Sequence, residues 1–425
     1  MTVFWFRRDL RTADNAGLFH ALQSGNVLPI FIFDPNILSE LPPEDARVTF
    51  IHDLLEKLNR QLRHGLAVFM GDPLEIFGQL IENHSITNVY CNSDYEPYAL
   101  RRDEAIAHLL ASKGIGFHSF KDQVIFERDE IVKDDGLPYV VYTPYSKRWF
   151  ERFTPDMTQA YPSGDLLEHT VNHDYPFLSL ADIGFERSTI SVPDYDDSIQ
   201  MMDRYAQTRN FPAPDATSNL SPHLRFGSVS VRQMVGRAIN HPDKTFVKEL
   251  VWREFFMNIL WHFPHTVTRS FRPEYDHIRW VNNKAHFEAW CNGMTGYPLV
   301  DAGMRQLLHT GRMSNRVRMV VASFLCKDLL IDWRWGEAWF AQKLLDYEQS
   351  SNVGNWQWAA GSGVDAAPYF RVFNPVEQQR KFDPDGEYVR RWIPELNSLD
   401  YPAPIVDHAQ ARIKCLEVYQ VALKN

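Results

Sequence analysis

Asp346-Tyr-Glu348 and, just beyond it, Asn352-Val-Gly354-Asn-Trp356-Gln-Trp358-Ala-Ala place two acids and a carboxamide beside tryptophans, with Trp333 slightly upstream. A tryptophan in such company needs a stacking partner or an acceptor for its N–H. Gly354 lets another group come close to the backbone. The combination suits a buried site for a flat ring with polar edges; a tryptophan-rich end of a core helix is the plainer alternative. Three further stretches carry usable chemistry. Thr217-Ser218-Asn219-Leu220-Ser221-Pro222 supplies hydroxyls and an amide in a turn that can begin a helix, where backbone N–H groups suit a pyrophosphate or simply a cap. Glu249 and Arg253 are four apart with the acid first, which reads as a surface ion pair unless a cleft desolvates them. Asn315 and Met319 share one face of a helical pattern running on to Lys327, with Val320 and Phe324 on the inward side. Methionine alone there is as easily core as pocket.

These groups need a scaffold. Over the first ~125 residues, apolar runs at Val3–Phe6, Val27–Phe33, Leu66–Met70, Val89–Asn92 and Gly116–Phe120 predict strands. Amphipathic patterns at Ala16–Leu22, Arg47–Arg63, Leu74–Asn83 and Ala99–Lys113 predict helices between them. Such alternation implies a parallel, Rossmann-like sheet covered on both faces. No G-x-G-x-x-G follows any strand, so the nicotinamide-type fingerprint is missing. Residues 126–195, rich in proline, read as a connector with short helices, and 196–425 as an all-helical domain holding ten of the twelve tryptophans.

At 425 residues and 44% apolar composition the chain can bury two or three sizeable cores. No apolar run approaches the ~20 residues that span a bilayer, and the first residues read as a strand, not a signal peptide. Cys91, Cys291, Cys326 and Cys415 are far apart, so no disulfide framework and no metal are expected, and a cytoplasmic protein follows. The net charge of −10 argues against indiscriminate nucleic-acid binding. A local basic footprint remains open, because phosphates feel only charges within about 8–10 Å.

The motifs together resemble the DNA photolyase/cryptochrome family. The flavin-site pattern Asn352-x-x-x-Trp356-Gln-Trp358-Ala-Ala is followed by Asp365-Ala-Ala-Pro368-Tyr-Phe-Arg371 and Phe373-Asn-Pro375. Upstream stand the Thr217–Pro222 block, Trp252-Arg253-Glu254-Phe255, Thr295-Gly-Tyr297-Pro298-Leu-Val-Asp301, Asn315-Arg316-Val-Arg318-Met319 and Phe4-Trp5-Phe6-Arg7-Arg8-Asp9-Leu10-Arg11, in family order over nearly the whole chain. The pattern is most like the class I cyclobutane pyrimidine dimer photolyases. The resemblance implies an antenna-type α/β domain, an all-α FAD-binding domain, and light-driven repair of UV-damaged DNA by an electron from excited FADH⁻. It implies that Tyr205, Thr217, Ser218, Asn219, Leu220, Ser221, Arg253, Arg318, Asp346, Glu348 and Asn352 hold FAD. Glu249, Trp252, Asn315, Arg316, Met319, Trp358 and Gln378 would meet the DNA and its lesion, with Glu249, Asn315, Met319 and Asn352 closest to the chemistry. Trp356, Trp333 and Trp280 match the family's electron chain from flavin to surface. A monomer is expected.

Departures are also visible. Tyr98-Ala99 stands where folate-using members carry Asn-Glu, so a second chromophore could be a deazaflavin, a flavin nucleotide or nothing. Glu348 stands where Asp is usual, and Arg312 and Ser314 where many members carry Trp and His. The lesion-facing helix offers no histidine, which disfavours six-four repair. A cryptochrome photoreceptor is the main alternative, set against a chain end that reads as helix (Ala409 to Leu423) and not as a disordered tail. A DNA-binding flavoprotein without repair activity is a further one.

Overall fold

The computed structural model describes residues 1–424. Strands β1 (Thr2–Phe6), β2 (Val27–Phe33), β3 (Ala67–Met70), β4 (Asn88–Asn92) and β5 (Gly116–Phe120) form one parallel sheet in the order β3-β2-β1-β4-β5. β1 and β2 are buried along their whole length, which is why they read as unbroken apolar runs without alternation. Side chains still alternate between faces: Phe4 and Phe6 enter one core with Leu18 and Leu55, Val3 and Trp5 another with Phe77 and Ile106. The helices Ala16–Gln23, Ala46–Gln61 and Pro73–Asn83 begin where Asn15, Asp45 and Asp72 accept first-turn N–H groups.

The missing nucleotide fingerprint has a structural counterpart at the carboxyl ends of β1 and β4, where the strand order reverses. In open α/β sheets this crevice is the usual ligand site. Here Arg7 pairs with Asp103 and donates to the Asn92 carbonyl, while Arg8 reaches Asp94 at 3.1 Å and Glu96 at 3.2 Å.

Two compact units interleave along the chain: residues 1–131, 148–195 and 219–254 form one, and 132–147, 196–218 and 255–425 the other. In the second, helices Pro298–Thr310, Asn315–Ser323, Trp333–Lys343 and Gln349–Ala360 pack around Trp290, Trp333, Trp356 and Tyr388. The helix expected to continue to Lys327 instead leaves α geometry after Ser323 for a π turn, Phe324–Asp328. That turn carries Lys327, 1% exposed, whose ammonium donates to the Arg371 carbonyl at 2.9 Å; a buried amine needs such an acceptor.

Two glycines set the packing around the tryptophans. A Cβ on Gly336 would lie 2.1 Å from Trp356 Cη2, so the helix Trp333–Lys343 must be bare there for the edge of the indole to reach it. At Gly354 the space is taken by the Phe256 ring, 2.3 Å from where a Cβ would stand. The close approach expected at Gly354 is therefore made by another side chain of the protein.

Candidate functional site

Three segments of the second unit converge on a cavity that is partly open to solvent. Helix Asn315–Ser323 contributes Asn315, Arg318 and Met319 to its lining; the loop before residue 349 contributes Asp346 and Glu348; helix Gln349–Ala360 contributes Asn352, Trp356 and Trp358. Phe340, Leu344 and Ala359 complete an apolar wall.

The polar groups are held in defined roles. Arg318 Nη2 donates to both oxygens of Asp346, at 3.0 and 2.9 Å, and its Nε donates to the Met313 carbonyl. Asn352 Nδ2 donates to the Glu337 carbonyl at 3.1 Å and to Glu337 Oε1 at 2.9 Å. A carbonyl only accepts, so it fixes which end of the amide carries the NH2 group. Asn352 Oδ1 is therefore the atom left to receive a donor. Burial holds the Glu337 carboxyl above the usual carboxylate range, against hydrogen bonds from Asn352 and Tyr347 that pull it down. Asn315 Nδ2 lies 3.8 Å from Met319 Sδ, so these two form one patch at i,i+4 spacing.

The tryptophans differ in burial. Trp356 lines the cavity at 2% exposure, its ring edge-on to Phe340 (5.0 Å, 79°). Trp333 is 1% exposed, and its buried Nε1 has no partner among the described residues. Trp280 packs against the same core, is only partly buried, and meets Tyr419 edge-on at 6.1 Å.

The remaining predicted residues lie elsewhere. Tyr205 is on helix Ile199–Thr208 with the Arg209 guanidinium 5.4 Å from its ring centre. Thr217 and Ser218 follow in the second unit, with Ser218 buried. Asn219, at φ +52°, caps the helix Leu220–Phe226, whose first turn holds Leu220 and Ser221, and this belongs to the first unit. Glu249, Trp252 and Arg253 lie on helix Thr245–His262, in its part assigned to the first unit, and Arg253 Nη1 donates to the Gln123 carbonyl at 2.8 Å.

Arg316 turns away from the cavity lining. Its guanidinium lies 4.3 Å from the Phe382 ring centre and donates to Asn210 Oδ1 at 2.9 Å. Burial, and then the nearby Arg209 and Arg371, push its pKa down, so like charges gather there. Gln378, on helix Pro375–Phe382, has a buried Oε1 without a donor among the described residues.

Sequence reasoning missed Glu337, which orients Asn352, and Gly336, which admits Trp356. It also missed Gln357, which is 1% exposed, donates to the Thr266 and Arg269 carbonyls and accepts from Phe271 N–H. A lone acid after glycine in Trp333-Arg-Trp-Gly-Glu337 was the available signal for the first two.

Residues 2–163 match the family model for DNA photolyase, and residues 246–400 that for the FAD binding domain of DNA photolyase. The chain is 38% identical to the deoxyribodipyrimidine photo-lyase of Agrobacterium fabrum, covering 100% of this chain and 98% of that one. A crystal structure of a class III photolyase from Agrobacterium tumefaciens superposes with a TM-score of 0.89 at 36% identity, covering 100% and 98% of the two chains. An archaeal photolyase from Sulfolobus tokodaii, solved with two FAD molecules, gives 0.83 at 33% identity and 99% of each.

Proposed function

The chain belongs to the DNA photolyase family, and from that premise we infer that it repairs cyclobutane pyrimidine dimers in UV-damaged DNA with light, using FAD. The observation that carries the reading is the meeting, in one cavity, of the Arg318–Asp346 pair, the uncommitted Asn352 Oδ1 and the Trp356 and Trp358 rings. These residues fit a flavin. One edge of its ring system carries an N–H between two carbonyls, which suits an acid that accepts beside a guanidinium that donates. Asn352 Oδ1 would accept from a protonated ring nitrogen, and its amide cannot turn to donate instead while Glu337 holds the NH2 group. Tyr205, the Thr217–Ser221 hydroxyls and N–H groups, Arg253 and Glu348 would hold the rest of the cofactor.

When bound, reduced FAD supplies on excitation the electron that opens the cyclobutane ring and then recovers it. The chain's own residues bind and orient. Trp252 and Trp358 offer stacking surfaces for a dimer drawn out of the helix, which costs less for a lesion that is already poorly paired. Glu249 and Asn315 would hydrogen-bond the paired base edges, and Met319 fills the apolar side. Arg316, with Arg209 and Arg371 nearby, and Gln378 would take phosphates, which sets position without reading sequence. Trp280, Trp333 and Trp356 would pass an electron inward from the surface, and the partial exposure of Trp280 supports it as the outer end.

A second chromophore belongs to this reading, and the Sulfolobus tokodaii structure makes a flavin its first candidate. Tyr98, the departure from the folate pattern, is built into the fold here through its hydroxyl bond to Asp34 (2.5 Å) and the Arg102 guanidinium over its ring. No helix among the described residues is long and apolar enough to cross a membrane. Four buried, unpaired cysteines support a reducing compartment, the cytoplasm.

The test is reversal of thymine dimers in an oligonucleotide under blue light. Wild type should restore the thymines, Glu249→Ala should do so more slowly while retaining its flavin, and six-four products should persist in both. Absence of dimer reversal by flavin-loaded, reduced wild type would overturn the reading.

A further inference from the structure

Helix Ala46–Gln61 carries a second polar cluster, in the first unit, that the reaction does not use. His52, Asp53 and Glu56 bring one imidazole nitrogen and two carboxylate oxygens within 4.8 Å of one another. The acids alone would mean little, but the histidine is unusual. It is 5% exposed, and its Nε2 lies 3.1 Å from the Leu178 carbonyl. A carbonyl has no proton to give, so Nε2 is the donor. Nδ1 is buried, has no hydrogen-bond partner, and lies 3.8 Å from Glu56 Oε1. In the neutral ring this nitrogen presents a lone pair beside the Glu56 carboxylate, with Asp53 in the same cluster, a repulsive arrangement that a cation relieves. Support of the other ring nitrogen by a backbone carbonyl is also how metal-bound histidines are usually oriented.

We propose that His52 Nδ1, Asp53 and Glu56 form a divalent transition-metal site whose occupant is Zn2+. One nitrogen with two oxygens is a borderline donor set, better suited to zinc than to calcium or magnesium, which take oxygen ligands. Tetrahedral zinc with bonds of about 2.0–2.1 Å needs its ligand atoms roughly 3.4 Å apart. The closure falls to Asp53 and Glu56, whose side chains are 46% and 44% exposed and must turn from Arg187 and Arg60 toward the fixed imidazole. Water completes the shell. Arg187 is the built-in competitor, because it holds both Asp53 oxygens at 2.8 and 3.1 Å. Arg187 lies in the 126–195 segment, so zinc, by taking Asp53 from it, would release that contact while His52 keeps its bond to Leu178. The expectation of no metal rested on cysteine spacing, which does not see an i,i+4 His–Glu pair.

The experiment uses the full-length, FAD-loaded chain, stripped with chelator and titrated with ZnCl2 by calorimetry and by thermal unfolding. Wild type should bind one equivalent and unfold at higher temperature with zinc. His52→Gln, which keeps a donor for the Leu178 carbonyl, and Glu56→Gln, at an exposed position, should each weaken binding by roughly tenfold or more. Arg187→Ala should bind zinc several-fold tighter. An imidazolium donating from Nδ1 to Glu56 is the competing account, and it predicts no such site. Wild type binding no better than Glu56→Gln, or an unchanged affinity in Arg187→Ala, overturns the proposal.

Discussion

Asn352 has its amide orientation imposed by a neighbour, since Glu337 takes both N–H bonds and leaves only the oxygen for a ligand. A similar dependence on surroundings separates the tryptophans. Trp356 and Trp333 are sealed in the core, whereas Trp280 reaches solvent and is the one replaceable without disturbing the cavity. Phenylalanine is much harder to oxidise than tryptophan. Trp280→Phe should therefore slow the photoreduction of oxidised FAD while leaving dimer repair by chemically reduced enzyme nearly unchanged. Time-resolved absorption after a flash, set beside a repair assay, checks this; loss of both together would remove Trp280 from the electron path.

Helix packing depends on one missing methyl group at Gly336. In an open helix, Gly→Ala is favourable by about 1 kcal/mol. Here the added Cβ would sit 2.1 Å from Trp356 and 2.6 Å from Leu325 Cδ2, and overpacking typically costs about 1–3 kcal/mol, so the clash wins. Gly336→Ala should unfold at lower temperature and purify with less flavin, which a melting curve and the flavin-to-protein absorbance ratio would report. A second packed element turns on Glu254 of helix Thr245–His262. Its carboxylate accepts from Ile125 N–H (2.7 Å), Phe126 N–H (3.0 Å) and Trp149 Nε1 (2.6 Å), yet burial outweighs these donors and pushes its pKa up to about 7.

The sign follows from linkage. The folded state holds this proton more tightly than the unfolded state does, so the contribution is full below the ordinary value of 4.5 and is lost as pH rises through about 7. Stability should fall over that window by on the order of 1–3 kcal/mol, and the fall should be missing in Glu254→Gln. Denaturant titrations at several pH values compare the two slopes; parallel slopes would show that Glu254 stays ionised throughout.

For the whole molecule the question is how a chain of net charge −10 engages a polyanion. Short-range screening lets a local cluster act against the net charge, and Arg316 has two arginines among the groups acting on it. Arg316→Ala should weaken binding to damaged and undamaged DNA alike, and should lower the salt slope by about 0.9, one phosphate contact. Trp252→Ala should weaken mainly the damaged complex, by roughly 1–3 kcal/mol for a lost stacking surface. Filter binding or anisotropy at several salt concentrations measures both, and equal losses on the two DNAs for Trp252→Ala would make it a core residue.

Much of this was legible from the chain alone. Unbroken apolar runs can be satisfied only by strands buried on both faces, so β1 and β2 and their parallel pairing were readable. Motif order and spacing pointed to the family, and Asn315, Arg318, Met319, Asp346, Glu348, Asn352, Trp356 and Trp358 do line one cavity. Periodicity could not show the π turn at Phe324–Asp328, because a one-residue change of helical register leaves a short pattern almost unaltered. Nor could it show that Glu337 orients Asn352, fifteen residues on, or that His52 leans on Leu178. Local sequence records what each residue offers. Which donor meets which acceptor is decided only when distant segments are packed against each other, where burial makes every unmatched polar atom costly and so selects the partners.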